Sequence, residues 1–133
     1  MERQRYHQQN HRQQDPELYD ICPRIMLKLS PMADIKLVSS QLSNIKEIHV
    51  VGVDGEVKEI LCILERGRSG RWPVKAVSLY SSAPEGRGTG VMEFALNDET
   101  AARMKLSAVP ETGQTLYEPS AILLKAGCFK LLC

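Results

Sequence analysis

The segment IKEIHVVGVDGEVKEILCILE, residues 45 to 65, sets Asp54-Gly55 between two runs rich in β-branched residues. A two-residue connection of this kind folds as a type I′ turn, since Asp-Gly tolerates the positive φ that both central positions need. The sequence therefore predicts an antiparallel hairpin. Gly52, just before the turn, marks a bulge or a close approach. Both arms are apolar on both faces apart from a few Glu and Lys. The hairpin is thus expected to join a larger sheet covered on two sides, because a lone hairpin is marginal in water.

The segments around the hairpin fill in an α/β pattern. PRIMLKLSP, residues 23 to 31, is a short apolar run closed by prolines, which suits a strand buried on both faces. MADIKLVSSQL follows with Ile35, Val38 and Leu42 at helical spacing and Asp34 in the first turn. VKAVSLYSS alternates as a strand. APEGRGTGVMEF carries Gly86, Gly88 and Gly90, but it lacks the lysine-serine ending of a phosphate loop, so a hairpin turn or mobile loop is expected. LNDETAARM offers Asn97 or Asp98 as a helix N-cap. TLYEPSAILLKAG leads into a helix expected over about 119 to 132, with Pro119 in the first turn and Gly127 in mid-helix.

Charge and cysteine usage narrow the function. Formal net charge is +1, which gives no global field for nucleic acid. Seven aromatic residues make a stacking platform improbable. Cys22, Cys62, Cys128 and Cys133 lack zinc-ligand spacing, and the first three suit small buried thiols. No apolar h-region or membrane-length run is found, so a cytoplasmic location without membrane contact is expected. Residues 1 to 14 hold five Gln, three Arg and two His; they read as a disordered tail or a frayed helix, with His7 and His11 at i, i+4 but no third ligand. The most plausible phosphate-contact segment is RGRSGRWPVK, with Arg66, Arg68, Arg71, Trp72 and Lys75, set against the plainer reading of a solvated loop in which Trp72 covers an edge.

Three blocks, RIMLKLSPMADI, IHVVGVDGEVKEILCILE and LYEPSAILLKAGCFKLL, together resemble class I S-adenosylmethionine-dependent methyltransferases that carry a C-terminal THUMP-like domain. The resemblance covers roughly residues 20 to 133. It implies an α/β chain: the last strands of a Rossmann-like sheet (buried strand, helix, antiparallel hairpin), then a partial α+β THUMP-like domain. Residues 23 to 31 would be the fifth strand of that sheet, and the hairpin at 47 to 64 its antiparallel sixth and seventh strands. The implied organisation is a Gln/Arg-rich tail over 1–16, a methyltransferase-domain remnant over 17–72 and the THUMP-like part over 73–133.

This sequence also departs from that family. A strand followed by a glycine-rich turn, an acidic residue for the ribose and the family's Asp-Pro-Ala-Arg segment are not found, and Ser120 stands where Asn is usual. The family's cofactor, S-adenosylmethionine, is therefore not expected to bind this chain alone, and no metal is expected. Lys28 and Ser30, at the carboxyl end of the expected fifth strand, would lie at the pocket rim. Tyr117 and Lys125 join the basic loop as nucleic-acid candidates, with RNA and a complementary methyltransferase chain as partners. The leading expectation is an inactive portion of an RNA-directed methyltransferase, from a split gene or a decayed copy. The alternatives are a non-catalytic nucleic-acid-binding module and a remnant with no function of its own.

Overall fold

The computed structural model describes residues 16–82, 88–104, 109 and 111–132. The expectations for the N-terminal tail with His7 and His11, for Gly86 and for Cys133 lie outside them. Five strands, β1 (Arg24–Leu29), β2 (Ile45–Val53), β3 (Glu56–Glu65), β4 (Pro73–Leu79) and β5 (Thr89–Ala95), form one sheet in the order β1-β3-β2-β4-β5. The helices are α1 (Pro16–Ile21), α2 (Ile35–Gln41), α3 (Leu96–Ala101) and α4 (Ala121–Ala126), followed by a 3-10 turn over Lys130–Leu132.

The hairpin forms as expected. Asp54 and Gly55 take φ of 49° and 87°, and β2 and β3 pair antiparallel. Asp54 is also held from outside the turn: its carboxylate accepts from the Ser81 N–H at 2.9 Å and from the Ser81 hydroxyl. That ties the turn to the end of β4, which lies parallel to β2. β4 and β5 then pair antiparallel, so the glycine-bearing stretch between them joins two neighbouring strands. The position expected as a domain boundary, 72/73, falls between β3 and β4 of this one sheet.

Strand alternation sends one set of side chains inward. Leu27, Cys62, Ile48, Val74 and Phe94 form one row across all five strands. Cys62, Ile48 and Val74 have no exposed surface. Each large side chain so buried contributes about 1.5–3 kcal/mol. Tyr19, Ile35, Ile122, Ala126 and Cys128 close over this face in the same core. Burial pushes the Cys62 thiol up to about 11, as suits an inert core cysteine.

Several expectations are corrected. The strand expected to be buried on both faces is an edge strand that alternates between half-buried and exposed. Its apolar look comes from Ile25, Leu27 and Leu29 facing the core, while Arg24, Met26 and Lys28 face out. The sheet expected to be covered on two sides is covered on one by the described residues. Outer-face Val51, Leu61, Ile63 and Val77 are only half-buried and are not among the residues packed on the core. Cys22 is exposed rather than buried. β5 runs straight into α3, so the N-cap is Ala95, without a side-chain bond, and not Asn97 or Asp98.

The C-terminal helix is shorter than expected. Ser120 is its N-cap, accepting from the Leu123 N–H at 3.3 Å, which leaves Pro119 ahead of the helix. Gly127 ends it at φ 85° in the left-handed region, so this glycine is a C-cap and not a mid-helix contact.

Two contacts of this C-terminal region stand out, one to the sheet and one to α3. The ladder shifts register between Val51 and Gly52, a bulge. At Gly52 the Ile122 side chain stands where a Cβ would be, and the Glu56 carbonyl oxygen lies 2.8 Å from that point. The bare glycine therefore lets α4 seat on the sheet. The second contact is Glu99, which is 6% exposed. Its carboxylate accepts the backbone N–H groups of Phe129, Lys130 and Leu131 at 3.0, 2.7 and 3.0 Å. Burial pushes its pKa up, but these three donors outweigh it and hold Glu99 below the usual carboxylate range.

Gly52→Ala is expected to destabilise the protein by about 1–3 kcal/mol in urea unfolding, since both neighbours must shift. A change within error would dissociate α4 seating from Gly52. Glu99→Gln is expected to cost about 2 kcal/mol at neutral pH, because an amide presents a donor to N–H groups. The carboxylate's contribution is present above its unfolded pKa and is lost as pH falls through the lower folded value. The gap between wild type and Glu99→Gln should therefore close in acid unfolding curves; a gap constant with pH would contradict the assignment.

Candidate functional site

Lys28 is the penultimate residue of β1, with its side chain on the outer face, where its ammonium lies 2.6 Å from Glu59. Ser30 follows the strand, and its hydroxyl oxygen accepts from the Met32 N–H at 3.2 Å, closing the turn toward α2. Both residues thus already have structural partners at the proposed pocket rim. The link from β1 to α2, Ser30 to Asp34, contains no glycine.

The basic segment lies between β3 and β4. Arg66 pairs with Asp20 at 2.6 Å, and Arg71 pairs with Asp98. Arg68 is exposed, with its backbone N–H donating to the Glu65 carbonyl at 3.0 Å. Trp72 is half-buried and packs on the core. A cleft of about 390 Å³ is lined by Arg71, Trp72, Glu93, Phe94 and Asp98 among others. It offers the rings of Trp72 and Phe94 and the Arg71–Asp98 ion pair. No cysteine, serine or histidine lines it.

Lys75 belongs to a different place. It lies on β4 with its side chain on the outer face of the sheet, in a row with Lys28, Leu61, His49 and Glu93. Its ammonium binds Glu47 at 2.6 Å and approaches Glu93 at 3.8 Å. The Lys75 hydrogen bond outweighs burial and holds Glu47 below the usual carboxylate range, and the same bond raises Lys75. Glu47 also lies 3.4 Å from His49 Nε2, a buried nitrogen with no hydrogen-bond partner among the described residues. Sequence reading passed over Glu47 and His49. Their signal was the alternation of EIH within β2, which becomes a cluster only once the register with β4 is known.

Tyr117 is 85% exposed in the extended segment before α4. Lys125 stands in the last turn of α4, which packs on the core face. Lys75 and Lys125 are therefore on opposite sides of the sheet. The structure brings Arg71 and Trp72 together at one cleft and places Lys75 and Lys125 apart from each other. Among the described residues no group of three or more metal-ligating side chains is found, and no helix is long and apolar enough to cross a membrane.

A solved structure is similar to this chain over most of its length. No family model matches the chain, and no curated protein matches it. The matching structure is described as that of a "putative methyltransferase from Porphyromonas gingivalis W83". The likeness has a TM-score of 0.69 and 31% identity over 87% of this chain. It takes in 28% of the other chain, so the sequence spans well under half of that protein. The five-stranded mixed α/β arrangement is thus shared with a segment of a methyltransferase-like protein.

Lys75→Met tests the outer-face cluster. It leaves Glu47 half-buried without its cation and is expected to cost about 1 kcal/mol at neutral pH. Because Lys75 lowers the Glu47 pKa, the loss should vanish as pH falls through the range where Glu47 protonates. Urea midpoints at two pH values check this; an equal loss at both would mean that packing of the lysine stem, not the ion pair, was removed.

Proposed function

We propose that this chain is the carboxy-terminal part of an S-adenosylmethionine-dependent methyltransferase directed at RNA, and that it transfers no methyl group unaided. Residues 17–72 would be the end of the catalytic sheet and residues 73–133 the beginning of a THUMP-like part. The observation that carries this reading is the likeness to the Porphyromonas gingivalis structure over 87% of the chain at 31% identity. The pairing of β1 with β3, and of β3 with β2, supports reading them as neighbouring strands of one catalytic sheet. The RNA direction rests on the THUMP-like resemblance of the C-terminal blocks.

The residues present do not fit the cofactor. Such a site needs backbone approach through a glycine turn between a strand and a helix, with an acidic residue for the ribose. Positive-φ glycines of the described residues are Gly55, Gly67, Gly70, Gly113 and Gly127. They lie in the hairpin turn, the β3–β4 loop, the segment before α4 and the α4 C-cap, none between a strand and the helix that follows it. Methyl transfer also needs donor and acceptor held in line, which one paired lysine and one turn-forming serine do not supply. The role assigned to this chain is scaffolding: it extends the sheet and carries the C-terminal elements, and no chemical step is assigned to it.

The test is a chimera in which this chain replaces the matched segment of the Porphyromonas gingivalis protein. Calorimetry is expected to show saturable micromolar binding of S-adenosylmethionine by the chimera and none by the chain alone. Binding by the chain alone would refute its dependence on the rest. A soluble, folded chimera that does not bind would refute the methyltransferase reading.

A further inference from the structure

The two edges of the sheet differ in how they are guarded. β1, at one edge, carries Arg24 and Lys28 on either side of Met26. A second copy laid antiparallel about Met26 would set Arg24 opposite Lys28, and like charges directly opposite destabilise a pair. β5 forms the other edge. Its sequence, TGVMEFA, contains no lysine, arginine or proline. Its ladder with β4 runs from Pro73 opposite Ala95 to Leu79 opposite Thr89 without a bulge. Lysines, prolines and bulges are the usual devices that keep an edge strand from pairing, and β5 has none of them.

The bonds of β5 fix which of its backbone groups stay free. The Tyr80 N–H donates to the Gly88 carbonyl at 2.9 Å, one step beyond the pair of Leu79 with Thr89. In an antiparallel ladder, residues alternate between exchanging both backbone bonds with the residue opposite and exchanging none. Gly90, Met92 and Phe94 therefore turn their N–H and C=O groups to β4. Thr89, Val91 and Glu93 turn theirs away from it. Among the described residues no strand pairs on that side, and no backbone bond from elsewhere reaches these three. Their side chains are exposed as well, Val91 by 60%.

This edge is complementary to itself. In the two-fold antiparallel register centred on Val91, that valine meets Val91 of a second copy, and Thr89 meets Glu93 on each side of the axis. Every outward donor and acceptor of the three residues is then paired. No like charges stand opposite, and the Thr89 hydroxyl can donate to the facing Glu93 carboxylate. Val51, Val77 and Val91 form a row across β2, β4 and β5. The second copy continues that row with its own three valines, and β-branched pairs across neighbouring strands are favourable. The contact is small beside a standard interface, so association is expected only at high protein concentration.

We propose that the free edge of β5 is an interaction surface for a second copy of this chain, so that two sheets join into one through the outward backbone groups of Thr89, Val91 and Glu93. This goes beyond the functional reading above and does not depend on it. The edge is already aligned by β4, so the second strand meets fixed donors and acceptors. Val91→Lys tests it, because the new side chain faces its own copy across the axis while every bond to β4 stays in place.

The experiment uses the whole chain. Sedimentation equilibrium over about a hundredfold range of concentration should show a monomer–dimer equilibrium. Val91→Lys should weaken the dimer at least about tenfold with little change in the thermal melt of the monomer, whereas Met26→Lys, on the β1 edge, should leave association unchanged. Amide exchange read by NMR on the unaltered chain gives a second measurement. The amides of Thr89, Val91 and Glu93 should exchange rapidly in dilute solution and slow at least about tenfold as the dimer forms, while those of β1 keep their rates. A monomer at every concentration overturns the proposal. So does a dimer that Val91→Lys leaves intact, or one that slows the β1 amides instead. Protection of the three β5 amides in the dilute monomer also overturns it, because the chain's own residues would then occupy the edge.

Discussion

Ile122 rests where a side chain on Gly52 would stand, and this contact joins the C-terminal helix to the sheet. The bulge at Val51/Gly52 bends β2 at that point. A single apolar side chain then fills the space above a bare backbone, with Ala126 and Cys128 buried in the same core. Glu99 fixes the far end by taking three backbone donors of the last turn. Both contacts hold the C-terminal residues on the inner face, which Tyr19 and Ile35 also cover. Burial of one face of one sheet is thus the principal stabilising term, and the C-terminal residues complete it.

The consequence for function is geometric. Every described helix that contributes to the core does so on the inner face, while the outer face shows half-buried valines, leucine and isoleucine around the Glu47–Lys75 pair. An open face and an open β1 edge belong to the same side of the molecule that carries Met26. The basic loop joins β3 to β4, and two of its arginines are engaged with Asp20 and Asp98. Its exposed ion pairs are weak enough to exchange for phosphate, so they neither supply nor exclude an RNA contact. The more distinctive feature is the unpartnered sheet.

The sequence made the hairpin plain because Asp54-Gly55 admits few other conformations. It also marked Gly52 as special, and the bulge and Ile122 give the reason. It misled at β1, since an apolar run bounded by prolines looks the same whether one face or two are buried; only pairing decides. It misled at the C-terminus as well. Helical periodicity runs past Gly127, but the glycine's left-handed φ ends the helix there, and local spacing carries no record of that choice. Glu47 and His49 were invisible because their cluster depends on the parallel register of β2 with β4, and Glu99 because its partners lie some thirty residues away.

The most direct test of the account is transfer of a tritium-labelled methyl group from S-adenosylmethionine to bulk cellular RNA. No incorporation is expected with this chain alone, and incorporation is expected once it replaces the matched segment of the Porphyromonas gingivalis protein, if the proposed function holds. Label transferred by the isolated chain would contradict the central claim that it is a scaffold requiring completion.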